Sequence, residues 1–263
     1  MKNYSLIKSP LAGWRGGKYQ LSKKIVALIP PHQCYCEPFV GAAWVFFRKE
    51  RSDAEVLNDI NSDITTLYRV IQHHLEEFIR WFKWALVSRD EFERCLREDP
   101  KALTDIQRAA RFYYLHKGGF GGRVPSPSFG YSTVGRPRLN FMRIEEDLSA
   151  AHLRLSQVYI ENLNYANLIA RYDRPHSFFY IDPPYWNCED DYGKGIFSKD
   201  DFALLAQQLS AIDGKFLLSL NDTPQVRELF APFLIEPVSL VYSCGKTRSM
   251  AKEVLIRNYE LTQ

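Results

Sequence analysis

The run Phe178-Phe179-Tyr180-Ile181, followed by Asp182-Pro183-Pro184-Tyr185-Trp186, constrains this chain more than any other stretch. An apolar run of that length predicts a buried parallel strand. Two prolines then end it, because neither carries an N–H to donate to a ladder. The carboxylate of Asp182 and the ring of Tyr185 are left at the carboxyl end of a strand, which is where ligands bind in open α/β sheets. An accepting carboxylate, a backbone fixed by proline and a stacking ring can together hold a planar group that carries an amine. The same residues serve equally well as a plain strand-ending turn with a surface acid, so the rest of the chain must decide.

The N-terminal third adds a nucleotide-type pattern. Trp14-Arg15-Gly16-Gly17-Lys18 is a glycine-rich loop flanked by a ring and a lysine. A short helix over 22–29, capped by Ser22 and ended by Pro30-Pro31, is expected next. A strand around Cys34-Tyr35-Cys36 runs into Glu37-Pro38-Phe39-Val40-Gly41-Ala42-Ala43, and a helix from Trp44 to Lys49 follows. Strand, glycine turn, helix is the first half of a nucleotide-binding βαβ unit. A second strand, Ala54–Asn58, ends at Asp59, which is 18 residues beyond Gly41. An acid about 20 residues on is expected to take ribose hydroxyls. The GxGxxG pattern is absent, which argues against a nicotinamide or flavin dinucleotide and leaves another nucleoside-type cofactor.

Residues 61–87 have helical spacing, with core packing expected for most of their rings. Thr104 is expected to cap a helix to about His116. Residues 117–138 are rich in glycine and read as loop. Between Ile106 and Ile144 there are seven Lys or Arg residues and no Asp or Glu: Arg108, Arg111, Lys117, Arg123, Arg136, Arg138 and Arg143. Phe120, Phe129 and Tyr131 are interleaved. A basic, aromatic segment suits a phosphate backbone and unstacked bases, although a solvated loop has the same composition. Beyond it a helix is expected over 145–156, a strand at 158–162, a helix at 165–172, and the strand that ends at Asp182. Ser198 caps a helix to about Ala211, strand 216–220 leads to a helix opened by Pro224, and strands 238–242 and 253–257 are separated by a loop at 243–251. The alternation predicts an open, mostly parallel sheet with helices on both faces.

Composition excludes rather than identifies. At 46% apolar and 25% charged the chain is an ordinary globular one, and a net charge of +3 is too small to argue for nucleic acid by itself. Five cysteines, odd in number and without a CxxC pair, argue against a disulfide framework or a zinc site and fit a reducing, cytoplasmic setting. No apolar run approaches the roughly 18 residues of a membrane span. Cys244-Gly245-Lys246-Thr247 resembles the end of a phosphate loop, but Leu240 stands where its first glycine belongs. His73-His74 and the acids at 189–191 are expected to be solvated, and Cys34 and Cys36 to pack in a core. No metal is expected.

The ordered set WRGGK (14–18), EPFVGAA (37–43), NDIN (58–61), a long insert, FGGRVPSPSFG (120–130), DPPYW (182–186), SLNDT (219–223) and EVLIRNY (253–259) resembles the Dam-like, class α DNA adenine methyltransferases across nearly the whole chain. The resemblance implies a Rossmann-like, S-adenosylmethionine-dependent methyltransferase sheet, mostly parallel with one antiparallel strand. It implies a catalytic domain over 1–61 and 158–263 and an inserted helical target-recognition region over 62–157. Trp14, Gly17, Lys18, Phe39, Gly41, Asp59, Ile60, Asn164 and Asp182 would serve the cofactor. Asp182, Pro183, Pro184 and Tyr185 would form the catalytic motif. Lys117, Phe120, Arg123, Arg136 and Arg138 would meet DNA. Two positions depart from the pattern: Ala43 replaces its second glycine, and Asn164 stands where an acid is common.

On this resemblance a methyl group would pass from S-adenosylmethionine to the 6-amino group of an adenine flipped out of a DNA duplex, or presented in a single strand. A monomer is expected, and the insert is closest in look to prophage-borne members, some of relaxed specificity. Methylation of cytosine or of RNA adenine, and a silent DNA-binding homologue, are the competing readings.

Overall fold

The computed structural model describes residues 7–121, 127–137, 139–193, 195–244 and 247–261. In chain order, the first elements are α1 (Ser22–Leu28), β1 (Cys34–Glu37), α2 (Trp44–Arg48) and β2 (Ala54–Asn58). Then come α3 (Ser62–His73), α4 (Leu75–Phe82), α5 (Arg89–Arg97), α6 (Asp105–Gly118), α7 (Ile144–Leu155) and β3 (Tyr159–Glu161). The last are α8 (Tyr165–Tyr172), β4 (Ser177–Ile181), α9 (Lys199–Leu209), β5 (Lys215–Asn221), α10 (Pro224–Leu229), β6 (Leu234–Cys244) and β7 (Thr247–Arg257). They fall into two compact units. A helical unit comprises Met1–Lys18, Gly41–Lys49 and Asn61–Asn162, and a strand unit comprises Tyr19–Val40, Glu50–Ile60 and Leu163–Gln263.

Within the strand unit the strands lie in the order β2-β1-β4-β5-β7-β6. β2, β1, β4 and β5 are parallel, and β7 is antiparallel to both of its neighbours. This is the mostly parallel sheet with one antiparallel strand that the sequence predicts. The period of two sorts its residues. Cys34, Cys36, Phe179, Ile181, Phe216, Leu218, Leu220, Val254 and Ile256 share one apolar core with Leu168 of α8, Phe202 and Leu205 of α9 and Val226 of α10. The residues between them include Tyr35, Glu37, Tyr180, Ser219 and Glu253, all buried. Each strand thus offers one apolar and one partly polar face.

The C-terminal hairpin is longer than its apolar segments predict. The loop expected over 243–251 is strand instead, because β6 and β7 pair from Leu234↔Arg257 to Cys244↔Thr247. Their backbones hydrogen-bond whatever the side chains are, so the run Thr247–Lys252, which has no alternating apolar pattern, still completes a hairpin.

The helical unit differs from expectation at three places. The periodic stretch after Asn61 is two helices, since His74 leaves the helical region at φ −135° and α4 restarts behind it. Trp84 is 83% exposed, whereas Phe78 and Phe82 are buried as expected. α5 was not foreseen, although Ser88 accepts from the Glu91 N–H as its N-cap. Thr104 caps α6 through a reciprocal box with Gln107, as expected. In the strand unit, Ser22 is the first residue of α1 rather than its cap, and its hydroxyl donates back to the Tyr19 carbonyl at 2.9 Å.

Candidate active site

Parallel pairing puts the carboxyl ends of β2, β1, β4 and β5 on one edge of the strand unit. Asp59, Phe39, Asp182 and Asn221 lie at those four ends. Pro183 and Pro184 are buried, and Asp182 and Tyr185 are half-buried. Ser219 of β5 donates its hydroxyl to Asp182 Oδ1 at 3.0 Å, and the Tyr180 hydroxyl lies 3.1 Å from the same serine oxygen. Burial first, and then the Asp182 charge, hold the Tyr180 phenol well above its ordinary range. The Asn221 amide accepts from the Trp186 N–H at 2.9 Å and donates to the Trp186 carbonyl at 3.1 Å. The segment from Asp182 to Trp186 is therefore tied to β5 at both ends.

Asn58 organises the neighbouring ends. Fully buried at the tip of β2, it donates to the carbonyls of Pro38 (2.9 Å) and Leu163 (3.0 Å) and accepts from the Leu163 N–H (2.8 Å). The loops that carry Phe39 and Asn164 are joined through this one amide. Phe39 stacks on Tyr165 with ring centres 5.3 Å apart and meets Phe197 edge-on at 5.8 Å. Asp59 is half-buried, and Ile60 beside it is 42% exposed. Asn164 is the N-cap of α8, its side chain accepting from the Ala166 N–H at 2.9 Å. An asparagine at this position therefore caps a helix, whatever else it touches.

The helical unit holds the glycine-rich loop. Trp14 packs against Phe112 and His116 of α6, with ring centres 6.2 and 5.4 Å away. A Cβ at Gly17 would lie 3.1 Å from the Trp14 carbonyl oxygen and 3.2 Å from the Trp44 ring, so both would have to give way by a few tenths of an ångström. Lys18 is buried, and its ammonium donates to the Gly16 carbonyl at 3.2 Å. The turn before α2 is left-handed twice, with φ +43° at Gly41 and φ +53° at Ala43. It is braced by the Tyr68 hydroxyl, which donates to the Gly41 carbonyl at 2.7 Å, and by the Ser9 hydroxyl, which donates to the Ala42 carbonyl at 2.6 Å.

Several residues of the basic stretch have partners of their own within the helical unit. Arg108 pairs with Asp63 at 2.5 Å, Arg111 donates to the Cys95 carbonyl at 2.6 Å, and Arg143 pairs with Glu146 at 2.9 Å. Lys117, expected at DNA, donates to the Ala12 carbonyl at 3.1 Å, and its ammonium lies over the Tyr113 ring. Burial pulls the Lys117 amine down to about 8. Phe120 and Arg136 are exposed. Arg123 and Arg138 lie outside the described residues. The loop is pinched where Gly119 bridges Phe129, and the Arg89 guanidinium covers the rings of Phe129 (5.1 Å) and Tyr131 (5.8 Å). Arg89 is the first residue of α5, which is not among the helices expected from the sequence.

Among the described residues no group of three or more His, Cys, Asp or Glu is placed to hold a metal ion, and no helix is long and apolar enough to cross a membrane.

The chain is similar to known proteins over most of its length. The family model described as D12 class N6 adenine-specific DNA methyltransferase matches residues 14–244. The DNA adenine methylase of Salmonella typhi is 28% identical over 278 residues, covering 97% of this chain and 95% of that protein. The DNA adenine methylase of Escherichia coli K12 is 27% identical over 271 residues, with the same two coverages. Type II methyltransferase M.CviBI of Paramecium bursaria Chlorella virus NC1A is 26% identical over 229 residues, 86% of this chain and 87% of that one. Adenine, rather than cytosine, is the base this family modifies. The chain belongs to the D12 class of N6 adenine-specific DNA methyltransferases.

Proposed function

We propose that Asp182 and the Pro183 carbonyl hold the two hydrogens of an adenine 6-amino group, and that Tyr185 stacks on the ring. The observation that carries this reading is the placement of Asp182. It is a half-buried carboxylate just beyond β4, held by Ser219 and followed by a backbone that Asn221 fixes. The 6-amino lone pair is delocalised into the ring and is a poor nucleophile. Accepting both hydrogens draws the nitrogen toward tetrahedral geometry and aims its lone pair. Positioning of this kind supplies on the order of 7–11 kcal/mol of a barrier in well-oriented pairs. Asp182 acts here as an acceptor that orients. A strong base is not needed, because the nitrogen loses its proton only as it becomes positive. A duplex adenine must leave its base pair to reach the site, at a cost of a few kcal/mol.

The residues at the sheet edge suit S-adenosylmethionine. Asp59 offers a carboxylate to ribose hydroxyls, and exposed Ile60 and the ring of Phe39 offer apolar surface to an adenine. When bound, S-adenosylmethionine supplies a methyl group already activated by its sulfonium. For Trp14, Gly17, Lys18 and Gly41, a cofactor role rests on the resemblance alone. The fold does not require Asn164 to touch the cofactor, since capping α8 already accounts for it. Phe120 and Arg136, exposed on the insert, are the described candidates for contact with DNA.

The test is Asp182→Ala in the full chain. Methyl transfer to duplex DNA should disappear, while calorimetry finds S-adenosylmethionine affinity within a few-fold of wild type. Transfer at the normal rate by this variant overturns the assignment. Asp59→Ala should do the reverse, weakening the cofactor first. Methylating random-sequence DNA and mapping the modified adenines then separates one recognition sequence from relaxed specificity.

A further inference from the structure

We infer that Ser219, backed by Tyr180, is a positioning residue that fixes the Asp182 carboxylate before substrate arrives. The inference rests on the reading of Asp182 given above. A carboxylate accepts and does not donate, so the single Ser219 proton is the one in the 3.0 Å contact with Oδ1. With that proton committed, the 3.1 Å contact between Tyr180 and Ser219 is made by the phenol donating to the serine oxygen. Tyr180 is buried, and its raised phenol pKa keeps it protonated, so the direction of the relay does not reverse at working pH. Two hydrogen bonds in series then set the torsion of the carboxylate and which of its oxygens is presented to the amine.

The choice of residue supports this role. Ser219 is fully buried, its register partner on β7 is Leu255, and its chain neighbours are Leu218 and Leu220. A buried hydroxyl is costly unless it is bonded. Beside Leu255 an aliphatic side chain would pack as well, unless the hydroxyl has a task. The two groups that Ser219 serves, Tyr180 and Asp182, are two residues apart and so share a face of β4 and its extension.

The experiment uses the full chain, a duplex oligonucleotide containing adenine, and labelled S-adenosylmethionine. Ser219→Ala should lower kcat by roughly tenfold to a hundredfold, the range expected for a lost hydrogen bond to a charged group. KM for S-adenosylmethionine should change by no more than about twofold, because Ser219 bonds to Tyr180 and Asp182 and not to the ribose-binding candidate Asp59. Ser219→Thr keeps the hydroxyl and should recover most of the rate, and Tyr180→Phe should fall between wild type and Ser219→Ala. An unchanged kcat in Ser219→Ala overturns the inference. Equal losses in Ser219→Ala and Ser219→Thr also overturn it, as they mark a packing effect. The separate Asp182→Ala variant distinguishes the two failures. If it is dead while Ser219→Ala is normal, only the relay is wrong; if it is active, the reading of Asp182 fails as well.

Discussion

Asn221 grips Trp186 by both of its backbone polar groups, one amide oxygen taking the N–H and one amide nitrogen serving the carbonyl. The two residues are 35 positions apart, yet this pair fixes where the segment after Asp182 ends. Each bond contributes about 0.5–1.5 kcal/mol net, so Asn221→Ala should cost about 1–3 kcal/mol. The melting temperature should drop by about 2–4 °C per kcal/mol in a chain of this size. Methylation should fall with it, because Pro183 and Tyr185 lie inside the loosened segment. A variant with wild-type melting and wild-type rate would show that the grip is incidental.

Ala43 carries a Cβ in the left-handed region, which costs about 1–2 kcal/mol relative to glycine. Glycine gives back about 0.5–1 kcal/mol through its greater freedom when unfolded. Ala43→Gly is therefore expected to stabilise the chain by up to about 1 kcal/mol. Thermal melting measures the gain, and calorimetry with S-adenosylmethionine shows whether the Cβ also limits cofactor affinity.

Lys117 has an amine held at about 8 in the folded chain against 10.5 ordinarily. The unfolded chain thus binds more protons than the folded one between those values, and stability rises with pH across that window. Below pH 8 both states are charged and the full cost of burying the ammonium is present. Lys117→Met removes this dependence. Its denaturant midpoint, compared with wild type from pH 7 to 10.5, should drop behind progressively as pH increases. Parallel curves would contradict the depressed value.

Arg136 is exposed on the loop of the insert. If it meets a phosphate, Arg136→Ala should weaken binding to all DNA sequences alike and reduce the salt slope of log K by about 1. Titrations of duplex DNA at several salt concentrations measure both. A loss confined to one base position would make Arg136 a reader of bases instead.

The parts that the sequence made legible are those with a local pattern. Apolar runs placed β4 and β5, Thr104 and Ser198 announced their helices, and the order of motifs placed Asp59 and Asp182 at strand ends. Asn58, Ser219 and Asn221 stood in motifs without a role, and Tyr68 and Ser9 outside any, because each acts through hydrogen bonds to distant chain. Asn58 reaches Leu163 across 105 positions, and no local spacing records that. The partners of the basic stretch were hidden for the same reason. Its lack of nearby acids said nothing of Asp63, which meets Arg108 from 45 positions away. The helix α5 did carry a signal, Ser88 three residues before Glu91, which is a capping pattern set in an otherwise polar run.

The alternation of faces along β4 makes Asp182 sensitive to chain length as well as to chemistry. Tyr180 and Asp182 share a face only because they are two residues apart, while Phe179 and Ile181 go to the apolar core. Deleting or inserting one residue within Ser177–Ile181 would send the carboxylate toward the leucines and leave Ser219 facing a hydrocarbon side chain. Changes of two residues would preserve the parity. Length variation inside this strand is therefore restricted to even steps, a constraint that substitution at any single position cannot reveal.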